Sequence, residues 1–220
     1  MMEWITLAIK IFAVCFALFN VGMALFDNRK KFGYAVTIWK RFRFRIFFKI
    51  IFILFCVGAT YRALISISPI FGYGWINFFM KSAGNILVTP MMEGLASDNI
   101  IIRTAPLLFL FGFLISLPFM AKLEENVFRR GVHTWGKMTL NSICFGLMHL
   151  ALGIPIGAGI ALIIPGFFFA HKYRQTYLSL CSKASEKEAK NKAVLVSTTY
   201  HTLMNTVVLS YLIIISILSI

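Results

Sequence analysis

Polar positions in this chain fall in short blocks, separated by long runs of Ile, Leu, Phe and Val. Such runs cover positions 5–26, 46–68, 100–120, 138–152, 154–171 and 193–218, the fourth being the shortest. A hydrocarbon core takes roughly 20 apolar residues of helix. Six crossings are therefore predicted. Between the second and third, positions 69–99 mix polar and apolar residues and are broken by Gly and Pro, which predicts an external loop with an interfacial or re-entrant helix around 75–81. The expected fold is all-α: a polytopic transmembrane helix bundle of about six spans, forming a single integral membrane domain over 1–220.

Composition supports this. The chain is 59% hydrophobic and 14% charged, whereas a soluble domain is about 45–50% apolar and about 25% charged. A net charge of +14 would otherwise suggest a nucleic-acid partner, but the placement of the charges favours a membrane. Eight Lys and Arg lie between spans one and two, from Arg29 to Lys49. Lys122, Arg129, Arg130 and Lys137 lie between spans three and four, and six more lie between five and six. In a six-span chain all three regions are on one side, and only Lys10, Arg62, Lys81 and Arg103 fall elsewhere. Basic loops face the cytoplasm, so both termini are expected away from it. No nucleic-acid partner is expected.

Cys15, Cys56, Cys144 and Cys181 form no CxxC pair, so neither a disulfide framework nor a thiolate zinc site is indicated. The first three sit in apolar runs and read as small buried hydrophobes. Glu3 stands where a signal peptide would be basic, and no small-residue cleavage site follows, so the first run reads as a retained span. The stretch Trp39-Lys40-Arg41-Phe42-Arg43-Phe44-Arg45 interleaves rings and cations, as an interfacial segment held by anionic lipid would. Positions 182–192 read as a solvated loop or short helix. There is no internal repeat.

Three polar clusters interrupt the apolar pattern of the second half. Ionisable groups at membrane depth are costly and are usually kept for function. The first is Glu124-Glu125-Asn126-Val127-Phe128-Arg129. If the third helix continues there, Glu125 and Arg129 stand at i and i+4 and pair on one face. Glu124 is rotated about 100° away and points elsewhere, into a cavity. One carboxylate is then held ionised while its neighbour is tuned by burial and like charge. An exposed surface ion pair is the alternative. The second cluster holds Phe145 and His149, again at i and i+4, with the ring shelving the imidazole. Its alternative is a histidine bonded to a backbone carbonyl. The third holds His201 and Asn205 on one helix face, two neighbouring N–H donors of the kind that stabilise an oxyanion. Interhelical hydrogen bonding is the alternative there.

The ordered set EExxxR, FxxxH and HxxxN, on successive membrane elements, resembles the CPBP family of CAAX proteases and bacteriocin-processing enzymes, also called the ABI or type II CAAX prenyl endopeptidase family. The resemblance covers about 122–210, taken as the protease-like core, and all motif positions agree. The first half shows only compatible hydropathy. The resemblance implies an intramembrane glutamic-type endopeptidase with a conical cavity opening near the cytoplasmic face. By motif, Glu124 would activate water with His149 assisting, and His201 and Asn205 would form the oxyanion site. Glu125 and Arg129 would orient and tune Glu124, and Phe145 would be structural. His133 and His171 lie outside the motifs.

Glu124, His149 and His201 are also a plausible zinc set, since catalytic zinc takes three N/O ligands plus water. No HExxH is present. The family pattern implies metal-free chemistry, so no cofactor is expected, with zinc as the alternative. The expected partners are membrane lipids and a small peptide or lipidated protein, and the expected setting is a bacterial cytoplasmic membrane. Two competing readings are a non-catalytic immunity or scaffold protein, which would be expected to have lost a motif residue, and a proton-relay transporter, which would call for an inverted repeat.

Overall fold

A computed structural model describes residues 2–78 and 98–218. Among them every regular element is helical, with no strand. Helix α1 spans Met2–Asp27, α2 Phe32–Trp39, α3 Phe44–Ile67 and α4 Ile100–Phe128. Then follow α5 Trp135–Met148, α6 Ile156–Ala161, α7 Ile163–Leu180 and α8 Glu186–Leu218. Helices are the fitting answer to such a sequence, because a span in hydrocarbon must satisfy its backbone groups internally.

Four helical stretches among the described residues are long and apolar enough to cross a membrane: Phe44–Ile67, Arg103–Phe128, Ile156–Leu180 and Glu186–Ile215. The run at 138–152 differs from expectation. It is a 14-residue helix followed by a 3-10 turn at His149–Leu152, ended by Gly153 at φ 78°. Polar Thr134, Lys137, Asn141 and Ser142 divide its apolar stretch early. The run at 154–171 extends to Leu180 after a break at Leu162, and the last helix begins at Glu186, within the segment that reads as a solvated loop or short helix. Of the helix expected around 75–81, a 3-10 turn at Trp75–Phe78 is present, and the remainder lies outside the described residues. Cys15 and Cys144 are exposed and Cys56 is half-buried, which corrects their reading as buried hydrophobes. An apolar residue in this fold has an outer helix face available as well as a core.

Helix α8 is the central element, packing along both α4 and α7, while α5 packs on α7. Glycines allow the closest approach. A Cβ on Gly146 of α5 would lie 2.5 Å from the Gly159 carbonyl oxygen, and one on Gly166 of α7 would lie 3.0 Å from the Phe145 ring. The apolar cluster Ile50, Phe128, Phe145, Phe169, Leu203 and Met204 joins α3, α4, α5, α7 and α8. It forms the floor of the polar site.

Candidate active site

Helix α4 does continue through the acidic cluster. It passes Pro106 and Pro118, where the missing N–H interrupts the helical ladder, and carries Glu124 and Glu125 in its last turns. The chain then reverses through Gly131, at φ 86°, a left-handed conformation that suits glycine. The Gly131 N–H donates to the Tyr173 hydroxyl at 2.9 Å. This reversal leaves Arg129 one turn beyond Glu125, facing inward.

Glu125 and Arg129 are both 0% exposed. Arg129 Nε lies 3.7 Å from Glu125 Oε2, so the expected i, i+4 pair is present. At that distance it is held by charge more than by a hydrogen bond. The guanidinium also lies 4.7 Å over the Phe145 ring centroid, a cation–π contact. Burial pulls Arg129 below its ordinary pKa and the Glu125 and Glu124 carboxylates oppose the shift. A guanidinium remains charged throughout.

His201 is the hub. Its Nδ1 lies 3.0 Å from Glu125 Oε1, and its Nε2 lies 3.7 Å from Glu124 Oε2. The imidazole thus has a carboxylate at each nitrogen. If Nδ1–H donates to Glu125, the tautomer is set and Nε2 is presented toward Glu124. The two acids differ in setting: the Glu124 side chain is 31% exposed and that of Glu125 is sealed. Phe169 stacks on the imidazole at 4.8 Å and Phe145 meets it edge-on at 5.5 Å. These rings hold the imidazole plane in place.

His149 is bonded at Nδ1 to the Phe145 carbonyl, 2.7 Å away. The backbone-bonded arrangement is therefore the one observed, and with Nδ1 donating, Nε2 is left as an acceptor. Phe145 is edge-on to His149 as well, at 4.8 Å, so a single buried ring touches both histidines and Arg129. Asn205 is half-buried one turn beyond His201, on the same face of α8.

Several buried polar atoms here make no hydrogen bond to protein: Glu124 Oε2, Glu125 Oε2, Arg129 Nε and Nη2, and the Thr198 and Thr202 hydroxyls beside His201. Each such group costs about 1–3 kcal/mol when left unpaired. Of these, Glu124 Oε2, Glu125 Oε2 and Arg129 Nε are in ion contact at 3.7 Å. Tyr34 of α2 belongs to the same neighbourhood. Burial raises its phenol pKa and the Glu125 carboxylate adds to the shift, while Thr198 and Arg41 oppose it, so the phenol stays protonated.

The pattern of polar residues missed Phe169, Thr198, Thr202 and Tyr34. Phe169 sits in a Phe-Phe-Phe run with no distinguishing neighbour. The two threonines lie at i−3 and i+1 from His201 and were the more discoverable. Among the described residues, no group of three His, Cys, Asp or Glu side chains is placed to hold a metal ion, so the alternative set Glu124, His149 and His201 is not gathered as ligands. Comparisons of the chain with protein-family models, curated proteins and solved structures give no match.

Proposed function

We propose that this chain is an intramembrane endopeptidase of the glutamic type. It hydrolyses a peptide bond in a membrane-associated or lipid-linked peptide or protein, as in CAAX-type or leader-peptide processing. The observation that carries the reading is the His201 imidazole between a sealed, ion-paired carboxylate and a partly exposed one. Two acids of such unlike setting suit a division of labour between a proton carrier and a fixed partner.

In this scheme Glu124 takes a proton from water, and the resulting hydroxide attacks the scissile carbonyl carbon. The proton then passes from Glu124 to the leaving amine as the C–N bond breaks. The Asn205 amide donates to the oxyanion of the tetrahedral intermediate, joined by His201 Nε2 when both ring nitrogens carry a proton. His149 assists Glu124. Glu125 and Arg129 anchor His201 and bias Glu124, and Phe145 supports both imidazoles. The unpartnered atoms around His201 are groups that water and substrate would satisfy.

The reading carries the CPBP resemblance with it: six crossings, termini away from the cytoplasm, a cavity opening near the cytoplasmic face, and residence in a bacterial cytoplasmic membrane. Prenylated substrates are not expected there, so peptide processing is the favoured use. The test is cleavage of a panel of lipidated and leader peptides by purified protein in detergent, with wild type, Glu124→Ala and a chelator arm. Activity lost in the variant and kept under chelation is the expected result. Loss under chelation, restored by zinc, would move Glu124, His149 and His201 to ligand roles. Activity retained in Glu124→Ala would remove the proposed base.

A further inference from the structure

A groove of about 460 Å³ is lined by Arg41, Arg43, Ile46, Val196, Thr199 and Tyr200. It lies between the turn joining α2 to α3 and the first half of α8, and no member of the polar cluster around His201 lines it. Both arginines are exposed, and neither guanidinium is hydrogen-bonded or ion-paired to a described residue. No acidic residue lines the groove. A third cation stands at its edge, with Lys172 Nζ 5.7 Å from the ring centroids of both Tyr200 and Phe168. The Thr199 hydroxyl already donates to the Leu195 carbonyl, at 2.8 Å, which leaves Arg41, Arg43 and Tyr200 as the available donors.

This is an anion site by charge and donor type, since guanidinium forks match phosphate oxygens. The rest of its surroundings are apolar. Ile46 and Val196 form the other wall, at the Arg43 end of α3. Helix α3 is also one of the stretches long and apolar enough to cross a membrane. A groove at the end of such a helix lies at headgroup level when α3 spans, so a lipid phosphate is the anion concentrated there.

We propose that this groove binds the phosphate of an anionic phospholipid, with Arg41 and Arg43 on its oxygens, Tyr200 donating its phenol and the acyl chains lying along α3. The site stands apart from the hydrolytic reading, because binding is measured without turnover.

The experiment uses the full chain in a neutral detergent, titrated separately with short-chain phosphatidylglycerol, short-chain phosphatidylcholine and glycerol phosphate. Thermal unfolding and native mass spectrometry are the readouts. Phosphatidylglycerol is expected to raise the unfolding midpoint and to appear as a bound adduct, with phosphatidylcholine and glycerol phosphate ineffective at the same concentration. Arg41→Gln with Arg43→Gln is expected to weaken the response about tenfold or more, at about 1 kcal/mol per basic residue. Lys30→Gln with Lys31→Gln, an equal loss of charge outside the groove, is expected to leave it unchanged. Tyr200→Phe keeps every charge and is expected to lose part of the response, which covers the case of a poorly folding double variant. A full response in both groove variants overturns the site, as does no preference for phosphatidylglycerol in wild type. An equal response to glycerol phosphate overturns the lipid assignment.

Discussion

His201 Nδ1 and Glu125 Oε1 lie 3.0 Å apart although the residues are 76 positions apart in sequence, and this contact ties α8 to the end of α4. Glu125 is also the charge partner of Arg129, and both are sealed from solvent. Removing one member of such a pair strands a buried charge, at a cost of about 3–5 kcal/mol, whereas replacing both with neutral groups can be close to neutral. Arg129→Met and Glu125→Gln are therefore each expected to lower the unfolding midpoint in detergent, and the double variant to recover much of the loss. A double-mutant cycle measures this coupling. Additive losses would show that the pair does not hold the site.

Phe145 touches His149, His201 and Arg129, and lies in the apolar cluster below them. Phe145→Ala is expected to cost about 3–5 kcal/mol in stability and to depress cleavage further than Phe145→Leu, which refills most of the volume. Thermal unfolding and cleavage rates measured side by side separate the two effects. Equal cleavage by both variants would reduce the ring to filler.

The glycines divide sharply. Gly146 of α5 faces Gly159 of α6 and the start of α7, where a side chain would collide with backbone, and Gly166 of α7 faces α5, where one would be tight. Gly146→Val is expected to prevent recovery of folded protein. Gly22 and Gly58 have open space where a Cβ would stand, so Ala there is expected to be neutral or to stabilise by up to about 1 kcal/mol through helix propensity. Size-exclusion profiles and unfolding midpoints check both claims, and a well-folded Gly146→Val would show that the helices can part at that point.

Outside the spans, burial holds the His133 imidazole below its ordinary pKa, Lys190 and Lys137 add to the shift, and Glu186 opposes it. Its ring stacks on Tyr177 at 4.0 Å. The folded state thus favours neutral His133. Well above the ordinary value of about 6.5 neither state binds the proton and the group contributes nothing. As pH falls below that value the unfolded chain is protonated first, and stability is lost until pH passes the lower folded pKa. Between about pH 7 and pH 5, the unfolding midpoint of wild type is expected to fall more steeply than that of His133→Phe. Parallel profiles would contradict the shift.

The sequence was most informative where helical periodicity alone decides geometry. Glu125 with Arg129 follows from a helix that does not stop at position 120, and the shared face of His201 and Asn205 follows from a four-residue spacing. Contacts between distant elements were not legible. Nothing in the spacing indicates that Glu125 and Glu124 face opposite nitrogens of His201, because that depends on how α8 lies along α4. Hydropathy treats an apolar position facing outward like one facing the core, which is why Cys15 and Cys144 were misplaced. Helix ends were limited by the same blindness, since α7 and α8 run on into polar sequence that lipid-based reasoning excludes.

The most direct test of the central claim compares cleavage by wild type, Glu124→Gln and Glu125→Gln against one identified peptide, with unfolding midpoints measured for each. Glu124→Gln keeps the shape and removes the base, so its rate is expected to fall roughly 10²–10⁴-fold with the midpoint nearly unchanged. Glu125→Gln is expected to lose rate and stability together. A Glu124→Gln protein that folds and cleaves at the wild-type rate would contradict the account.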